Sequence, residues 1–173
     1  MLCSLIVAMA VVGQEPAPKL DADSQKQLQD LGERFTVALR TKDSKAFAAC
    51  WATKEKYMEW QRKRQPGIND EGIKHYEDYY KYVLAKVDKV LTPITDDLRK
   101  AGDLGGLKFD ELKLSDETNI TALGGFRGTG PVIVITSSGT KRFKFYLDGA
   151  VQADGKWYFA EQFQGYFEEQ MPK

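Results

Sequence analysis

The sequence has little of the chemistry that most catalytic and metal sites require. It contains one histidine, His75, and two cysteines, Cys3 and Cys50. A single histidine without a cysteine pair excludes a Cys/His zinc site and gives no support to a Ser-His-Asp triad. Helical spacing places His75 well outside the apolar face of its helix, near Glu71 and Asp78, so we expect a solvated side chain there. No metal and no cofactor is predicted.

Net charge is also lacking, because 25 Lys and Arg residues balance 25 Asp and Glu residues. Proteins that bind nucleic acid or anionic membranes usually carry a basic excess or a basic aromatic face. The short basic run Arg62, Lys63 and Arg64 lies beside Glu55 and Glu59 and is typical of a solvated helix end. We therefore expect no nucleic-acid partner.

No apolar run is long enough to span a bilayer. The run over residues 2–12 covers about 11 residues, the length of a signal-peptide core, and a buried strand is the alternative interpretation. Ala8-Met9-Ala10 supplies a small-x-small cleavage pattern, although no basic residue precedes the run. We predict a signal peptide over residues 1–13, a polar linker over 14–23, no stable membrane span, and an exported protein, periplasmic or extracellular.

Export would leave Cys50 as the one cysteine of the mature chain, so no intramolecular disulfide can form. Cys3 precedes the apolar run, whereas a lipidated cysteine normally follows it, so we do not predict a lipoprotein. Cys50 lies between Phe47 and Trp51 in a helical segment without a nearby histidine. A buried, inert thiol is expected.

Helical patterns fill the first two thirds of the chain. Capping residues predict helix starts at Ser24, Asp43, Thr53 and Asn69. The segment from Asn69 to Leu91 is the longest, and its apolar stripe runs from Ile73 to Val90 with three-four spacing. Thr92-Pro93 is expected to stop this helix and to start a shorter one that ends at Gly102.

Strand patterns fill the remainder. Residues 131–163 predict three or four strands of an antiparallel meander, after strands over 107–114 and 118–123. Period-two spacing places one set of apolar residues on the same face: Ile133, Ile135, Phe143, Phe145, Leu147, Trp157 and Phe159. The stripe from Ile73 to Val90 is the expected cover for that face. The fold class is therefore α+β, a single domain over residues 24–173 with N-terminal helices packed on a C-terminal antiparallel sheet.

Two segments resemble the nuclear-transport-factor-2-like, or SnoaL-like, superfamily and specifically its exported bacterial members. Residues 35–47, FTVALRTKDSKAF, resemble the opening helix and the short Asp-led second helix, which ends in an aromatic residue, here Trp51. Residues 154–159, DGKWYF, are similar to the last turn and strand. The resemblance implies a curved sheet wrapped around a long helix, enclosing a cone-shaped cavity. The long helical region 53–101 departs from the compact core of the family.

The glycine-rich residues 124–130 do not form a phosphate-binding loop, because they lead through Pro131 into a strand rather than into a helix. A wide hairpin loop is expected, with Arg127 at its tip, where it could contact an anion.

Relatives of the resembled fold include isomerases, cyclases and dehydratases that use a cavity carboxylate as the base. Glu161 continues the alternation of Trp157 and Phe159, and Asp148 ends a strand, so these two are the candidate bases. The alternative is that the strand emerges at Glu161 and its carboxylate reaches water. The candidate binding residues, which could equally be ordinary core, are Trp51, Tyr57, Tyr76, Tyr80, Trp157 and Glu161.

Two functions remain open. The favoured one is a non-catalytic exported module that binds a small molecule or a protein partner, or forms a homodimer through its sheet. The alternative is a small-molecule isomerase or cyclase with Glu161 or Asp148 as the base. Absence of a histidine or of an acid pair on the apolar stripes favours the first.

Overall fold

The computed structural model describes residues 20–115, 120–123 and 126–170. The predicted signal peptide and linker residues 14–19 lie outside these ranges. Four helices come first: α1 (Ala22–Thr41), α2 (Ser44–Ala48), α3 (Lys54–Arg64) and α4 (Asp70–Lys100), followed by a 3-10 turn (Leu104–Gly106). The strands are β1 (Lys108–Leu114), β2 (Ile120–Leu123), β3 (Phe126–Thr129), β4 (Val132–Ser138), β5 (Lys141–Leu147), β6 (Ala150–Ala153), β7 (Lys156–Phe159) and β8 (Phe163–Gln170). The α+β arrangement is confirmed.

Side-chain caps define the helix starts. Asp43, Thr53 and Asn69 each accept a hydrogen bond from a backbone N–H in the first turn, as predicted. The predicted start of α1 at Ser24 is wrong, because Asp21 is the N-cap and its carboxylate accepts from the Ser24 N–H at 2.7 Å. An aspartate is as good a cap as a serine, so the sequence pattern alone does not separate them.

The expected break in the longest helix does not occur, and α4 continues through Pro93 to Lys100. Proline removes one N–H and crowds the carbonyl of Lys89, but Lys89 and Pro93 are exposed, so water can hydrate that carbonyl. Leu91, Ile94 and Leu98 continue the buried stripe beyond the proline. Burial of that stripe outweighs the local cost.

The strands form two antiparallel four-stranded sheets, not one continuous meander. The first sheet has the order β1-β4-β5-β8 and the second has the order β2-β3-β6-β7. The hairpins β4-β5 and β6-β7 were predicted, but β5 and β6 belong to different sheets. The edge next to β5 is taken by β8, which follows β7 in the chain.

Register in the first sheet corrects the predicted face of β4. Val134 lies opposite Phe145 and Thr136 lies opposite Phe143, so these four side chains share the buried face. Ile133 and Ile135 therefore point to the opposite, outer face. Every residue from Val132 to Ile135 is apolar, so alternation cannot specify which parity is inward.

Helix α1 makes the closest backbone approach to the strands. It packs on β1 and β4 of the first sheet and on β7 of the second, whereas α4 packs mainly on α3 and α2. Gly32 permits the close approach to β1, since a Cβ there would lie 2.9 Å from the Phe109 Cζ and 3.2 Å from the Leu112 Cβ. The expected cover by α4 is thus joined by α1, which approaches the strands more closely.

The second sheet is covered on both faces. Arg127 of β3 contacts Asp21 and Ser24 of α1, and the hydrogen bonds from Ser24 and Arg127 lower the pKa of Asp21 to about 2. On the other face Trp60 of α3 packs over Gly128. The predicted wide loop thus contains strand β3, and Arg127 serves as an anchor for α1. Gly124 and Gly125 lie outside the described residues.

Candidate functional site

Four of the six predicted binding residues lie inside the main core. Trp51, Tyr57, Tyr80 and Trp157 are each at most 2% exposed. Tyr57 and Tyr80 stack face to face with ring centroids 3.9 Å apart. Phe35 and Phe159 complete the packing around Trp51, with edge-to-face and tilted rings. Side chains fill the volume between α1, α3, α4 and β7 at this point.

Hydrogen bonds fix two of these aromatic side chains to the backbone. The Tyr80 hydroxyl donates to the Ala52 carbonyl at 2.7 Å, and the Trp51 Nε1–H donates to the Glu161 carbonyl at 3.0 Å. Burial is the main cause that raises the pKa of both Tyr57 and Tyr80. Both hydroxyls therefore stay protonated at physiological pH, and that of Tyr80 is already engaged.

Glu161 lies just beyond the end of β7, in the turn that leads to β8. The alternation on which it was chosen stops at Phe159, but the turn keeps Glu161 against the helices and its side chain is half-buried. The Asp148 N–H donates to the Gln162 carbonyl at 3.1 Å, and the Ala160 N–H donates to the Gly149 carbonyl at 3.0 Å. These bonds tie the β7-β8 turn to the β5-β6 turn.

Electrostatics sets Glu161 apart from the exposed acids. Burial raises the pKa of the Glu161 carboxyl, the negative charge of Asp148 raises it further, and Arg64 acts in the opposite direction. The charge of Glu161 in turn helps to raise the pKa of Tyr57, Tyr79 and Tyr80. A half-buried carboxylate beside tyrosine hydroxyls can accept a proton, which is what a general base requires.

Three residues of this cluster were not among the candidates predicted from the sequence. Tyr79 hydrogen bonds to the Gln162 side chain, and Arg64 is the cation that acts on Glu161. Tyr79 has a signal in the sequence, since it stands three residues after Tyr76 and next to Tyr80. Arg64 and Gln162 have no such signal in the sequence, because their proximity to Glu161 and Tyr79 depends on how the helices pack against the β7-β8 turn.

The remaining candidates lie outside the cluster. The half-buried Tyr76 accepts a 2.8 Å hydrogen bond at its hydroxyl from the exposed side chain of Gln65, which follows α3. His75 is exposed, with its ring 6.0 Å from that of Tyr76. Cys50 is buried, and burial raises the pKa of its thiol to about 11. Asp148 is half-buried and accepts from the Gln164 side chain.

Two negative findings apply to the described ranges only. Within residues 20–115, 120–123 and 126–170, no group of three or more His, Cys, Asp or Glu side chains is placed to hold a metal ion. Over the same residues, no helix combines the length and the apolar character needed to cross a membrane.

Two surfaces away from Glu161 carry apolar groups. The first is the outer face of the first sheet, defined here by Ile133, Ile135, Tyr146 and Phe167; Phe167 is 67% exposed, whereas Ile135 is only 4% exposed. The second is a cleft of about 560 Å³ at the free edge of β1, which we name the β1 cleft. Its lining residues are Leu20, Gln25, Leu28, Gln29, Glu111, Leu112, Lys113, Leu114 and Ile120.

Comparison with known proteins gives one distant likeness. No protein-family model matches the chain, and no curated protein matches it. A solved structure with similarity to the chain is a cystatin-like protein from Ruminococcus gnavus ATCC 29149, at 13% sequence identity and a TM-score of 0.48. The alignment covers 87% of this chain and 46% of that protein, so the chain spans less than half of its length.

Proposed function

We propose that the protein is an exported, non-catalytic interaction module of the nuclear-transport-factor-2-like kind, and that it self-associates through the outer face of its first sheet. The packing of Trp51, Tyr57, Tyr80 and Trp157 carries the non-catalytic part of the proposal. An enzyme with a cavity carboxylate needs open volume beside its base, and these four side chains occupy that volume. Export rests on the signal-like residues 1–13.

The outer face supports association because it combines an exposed aromatic pair with charges of both signs; Phe167, on the edge strand β8, lies opposite Lys144 of β5. Phe167 and Tyr146 pack edge to face, with ring centroids 5.5 Å apart, while Phe167 remains largely exposed. Lys144 pairs with Glu169 at 2.8 Å beside them. A second copy related by a twofold axis would meet neighbouring charges of both signs, so it would bury the Phe167–Tyr146 pair without net repulsion.

Sedimentation analysis over a range of protein concentrations tests self-association. We expect the wild-type chain to dimerise at micromolar concentrations and the Phe167→Asp variant to remain monomeric, because a carboxylate in place of the exposed ring would be desolvated in the interface. Tyr82→Asp is the matched control, since Tyr82 is 49% exposed on α4, away from the sheet. A wild-type chain that stays monomeric at about 100 μM would contradict the proposal.

A second candidate function, a small-molecule isomerase or cyclase, is favoured by the raised pKa of Glu161 beside Asp148 and Tyr79. Glu161→Gln removes the proposed base and keeps the shape of the turn. Asp148→Asn is the matched variant that removes the neighbouring carboxylate. Metabolite mixtures incubated with the wild type and with each variant would be compared by mass spectrometry. Turnover that disappears in Glu161→Gln would establish the enzyme; no turnover with the wild type would remove this candidate.

A further inference from the structure

The side chain of Gln29 forms a pair of hydrogen bonds with the free edge of β1. Its amide nitrogen donates to the Leu112 carbonyl at 2.9 Å, and its amide oxygen accepts from the Leu112 N–H at 2.9 Å. Strand β1 is the first strand of its sheet, so within residues 20–115, 120–123 and 126–170 no neighbouring strand pairs with that edge. A primary amide bound in this way reproduces the donor and acceptor of one residue in an added strand.

Alternation along β1 extends the same edge by one further position. The Ser115 N–H donates to the Pro131 carbonyl on the sheet side, and Leu112 bonds to Gln29 on the free side. In an antiparallel ladder the backbone groups of successive residues alternate between the two sides. The N–H and carbonyl of Leu114 therefore point to the free side, about 7 Å from those of Leu112 at 3.3–3.4 Å per residue.

These two positions open into the β1 cleft. Its lining is more polar than apolar, and the apolar part comes from Leu20 and Leu28 of the α1 region and from Leu114 and Ile120. Glu111 and Lys113 stand at its margin and carry opposite charges, so the cleft favours no strongly charged ligand. A volume of about 560 Å³ is within the usual range for ligand sites, roughly 300–1,000 Å³.

We propose that the β1 cleft binds a short extended peptide segment of a partner protein, which adds to the free edge of β1 and displaces the Gln29 amide. The backbone of the segment would pair with Leu112 and Leu114, as in strand addition generally, and alternate apolar side chains would enter between Leu28 and Ile120. Gln29 then acts as an internal competitor that covers the edge when no peptide is bound. This surface is separate from the outer face of the first sheet, so its test is independent of self-association.

The probe is the best binder selected from a displayed library of seven-residue peptides, then synthesised with a fluorescein label and measured by anisotropy. Gln29→Ala should bind it about fivefold more tightly, because no hydrogen-bonded amide has to be displaced. Leu114→Pro should bind it about tenfold more weakly, because it removes the free-side N–H and keeps the ladder to β4. Ile120→Glu, which places a charge in the cleft, is the second weakening variant.

Two controls separate peptide binding from a purely structural role of Gln29. The same peptide with alternate backbone amides N-methylated should lose binding, since one hydrogen-bonding edge is blocked. Gln29→Ala should lower the melting temperature while it tightens binding, so its two effects have opposite signs. A role only as an edge cap would lower the melting temperature without any peptide binding.

Several outcomes would overturn the proposal. Failure to select any peptide is one. Binding that is unchanged by N-methylation and by the variants at Gln29, Leu114 and Ile120 is another. Binding that appears only after residues 1–19 are deleted would assign the cleft to a segment of the chain itself.

Discussion

At the scale of single residues, Glu161 is a half-buried acid whose ionisation opposes folding. Its carboxyl has a pKa above the ordinary value of 4.5, chiefly because of burial and secondly because of Asp148. Between 4.5 and that higher value the folded chain binds more protons than the unfolded chain. The free energy of unfolding therefore falls as pH rises through this interval, and the loss persists above it.

Replacing Glu161 with Gln should remove this penalty. We expect Glu161→Gln to raise the free energy of unfolding at pH 7.5 by up to about 1 kcal/mol, and to change it little below pH 4.5, where the wild-type carboxyl is protonated in both states. Urea unfolding at both pH values measures the difference. Glu33→Gln, at an exposed position of α1, is the control. A stabilisation that is equal at both pH values would refute the assignment.

The position of Glu161 was predictable from the sequence only in part. The alternation of Trp157 and Phe159 pointed to it, although the strand ends at Phe159. The carboxylate lies near the tyrosines because the turn is tied to Asp148 and because α3 and α4 bring Tyr57 and Tyr79 to it. Such proximity depends on tertiary packing, which periodicity along one segment does not contain.

At the scale of elements, Pro93 inside α4 makes a specific prediction about stability. Pro93→Ala should raise the free energy of unfolding by about 1–2 kcal/mol, because the substitution restores an N–H and removes crowding at the Lys89 carbonyl. The gain is smaller than the full cost of a helical proline, since proline also restricts the unfolded chain. Chemical denaturation monitored by circular dichroism measures it.

Pro66 supplies the control for that experiment. It lies in the exposed connection between α3 and α4, so Pro66→Ala should not stabilise the chain. Equal effects of the two substitutions would mean that α4 ends near Pro93, as the sequence pattern first indicated.

Elements with strong local signals were predictable, but the orientation of a uniformly apolar strand was not. The caps Asp43, Thr53 and Asn69 have local side-chain signatures, and all three were located correctly. Strand β4 was also located, but its inward face was assigned to Ile133 and Ile135. Its register against Phe143 and Phe145 decides that face, and register is a property of two strands.

At the scale of the whole molecule, α1 joins the two sheets into one packing unit, and Gly32 is the position where this packing is tightest. Gly32→Ala would normally stabilise a helix by about 1 kcal/mol. Here the new methyl group would press on Phe109 and Leu112, and overpacking typically costs about 1–3 kcal/mol. We expect a net loss of about 1 kcal/mol in the free energy of unfolding.

We also expect this loss of stability to affect both sheets together. Because α1 packs on β1, β4 and β7, circular dichroism and tryptophan fluorescence should report one shared, lowered transition. Adding Phe109→Leu should recover part of the loss by making room for the methyl group. Two separated transitions would show that the sheets unfold independently of α1.

The fold class was predictable because helix and strand patterns occupy separate parts of the chain. The division of strands into two sheets was not, since β5 pairs with β8 while β6 pairs with β3. One continuous meander and two separate sheets would both satisfy the same alternation of apolar residues. The chain resolves them through long-range contacts, among them the hydrogen bond from Arg34 to the Trp157 carbonyl.

The central position of α1 has a kinetic consequence during synthesis. Arg34 and its partner Trp157 are separated by 123 residues, so at about 10 residues per second α1 waits about 12 s for β7 to leave the ribosome. Until β1 and β4 have also been synthesised, the apolar stripe of Leu28, Leu31 and Phe35 has no sheet to cover it. A nascent chain in this state can be held by a chaperone, and a translocase can thread it before it folds.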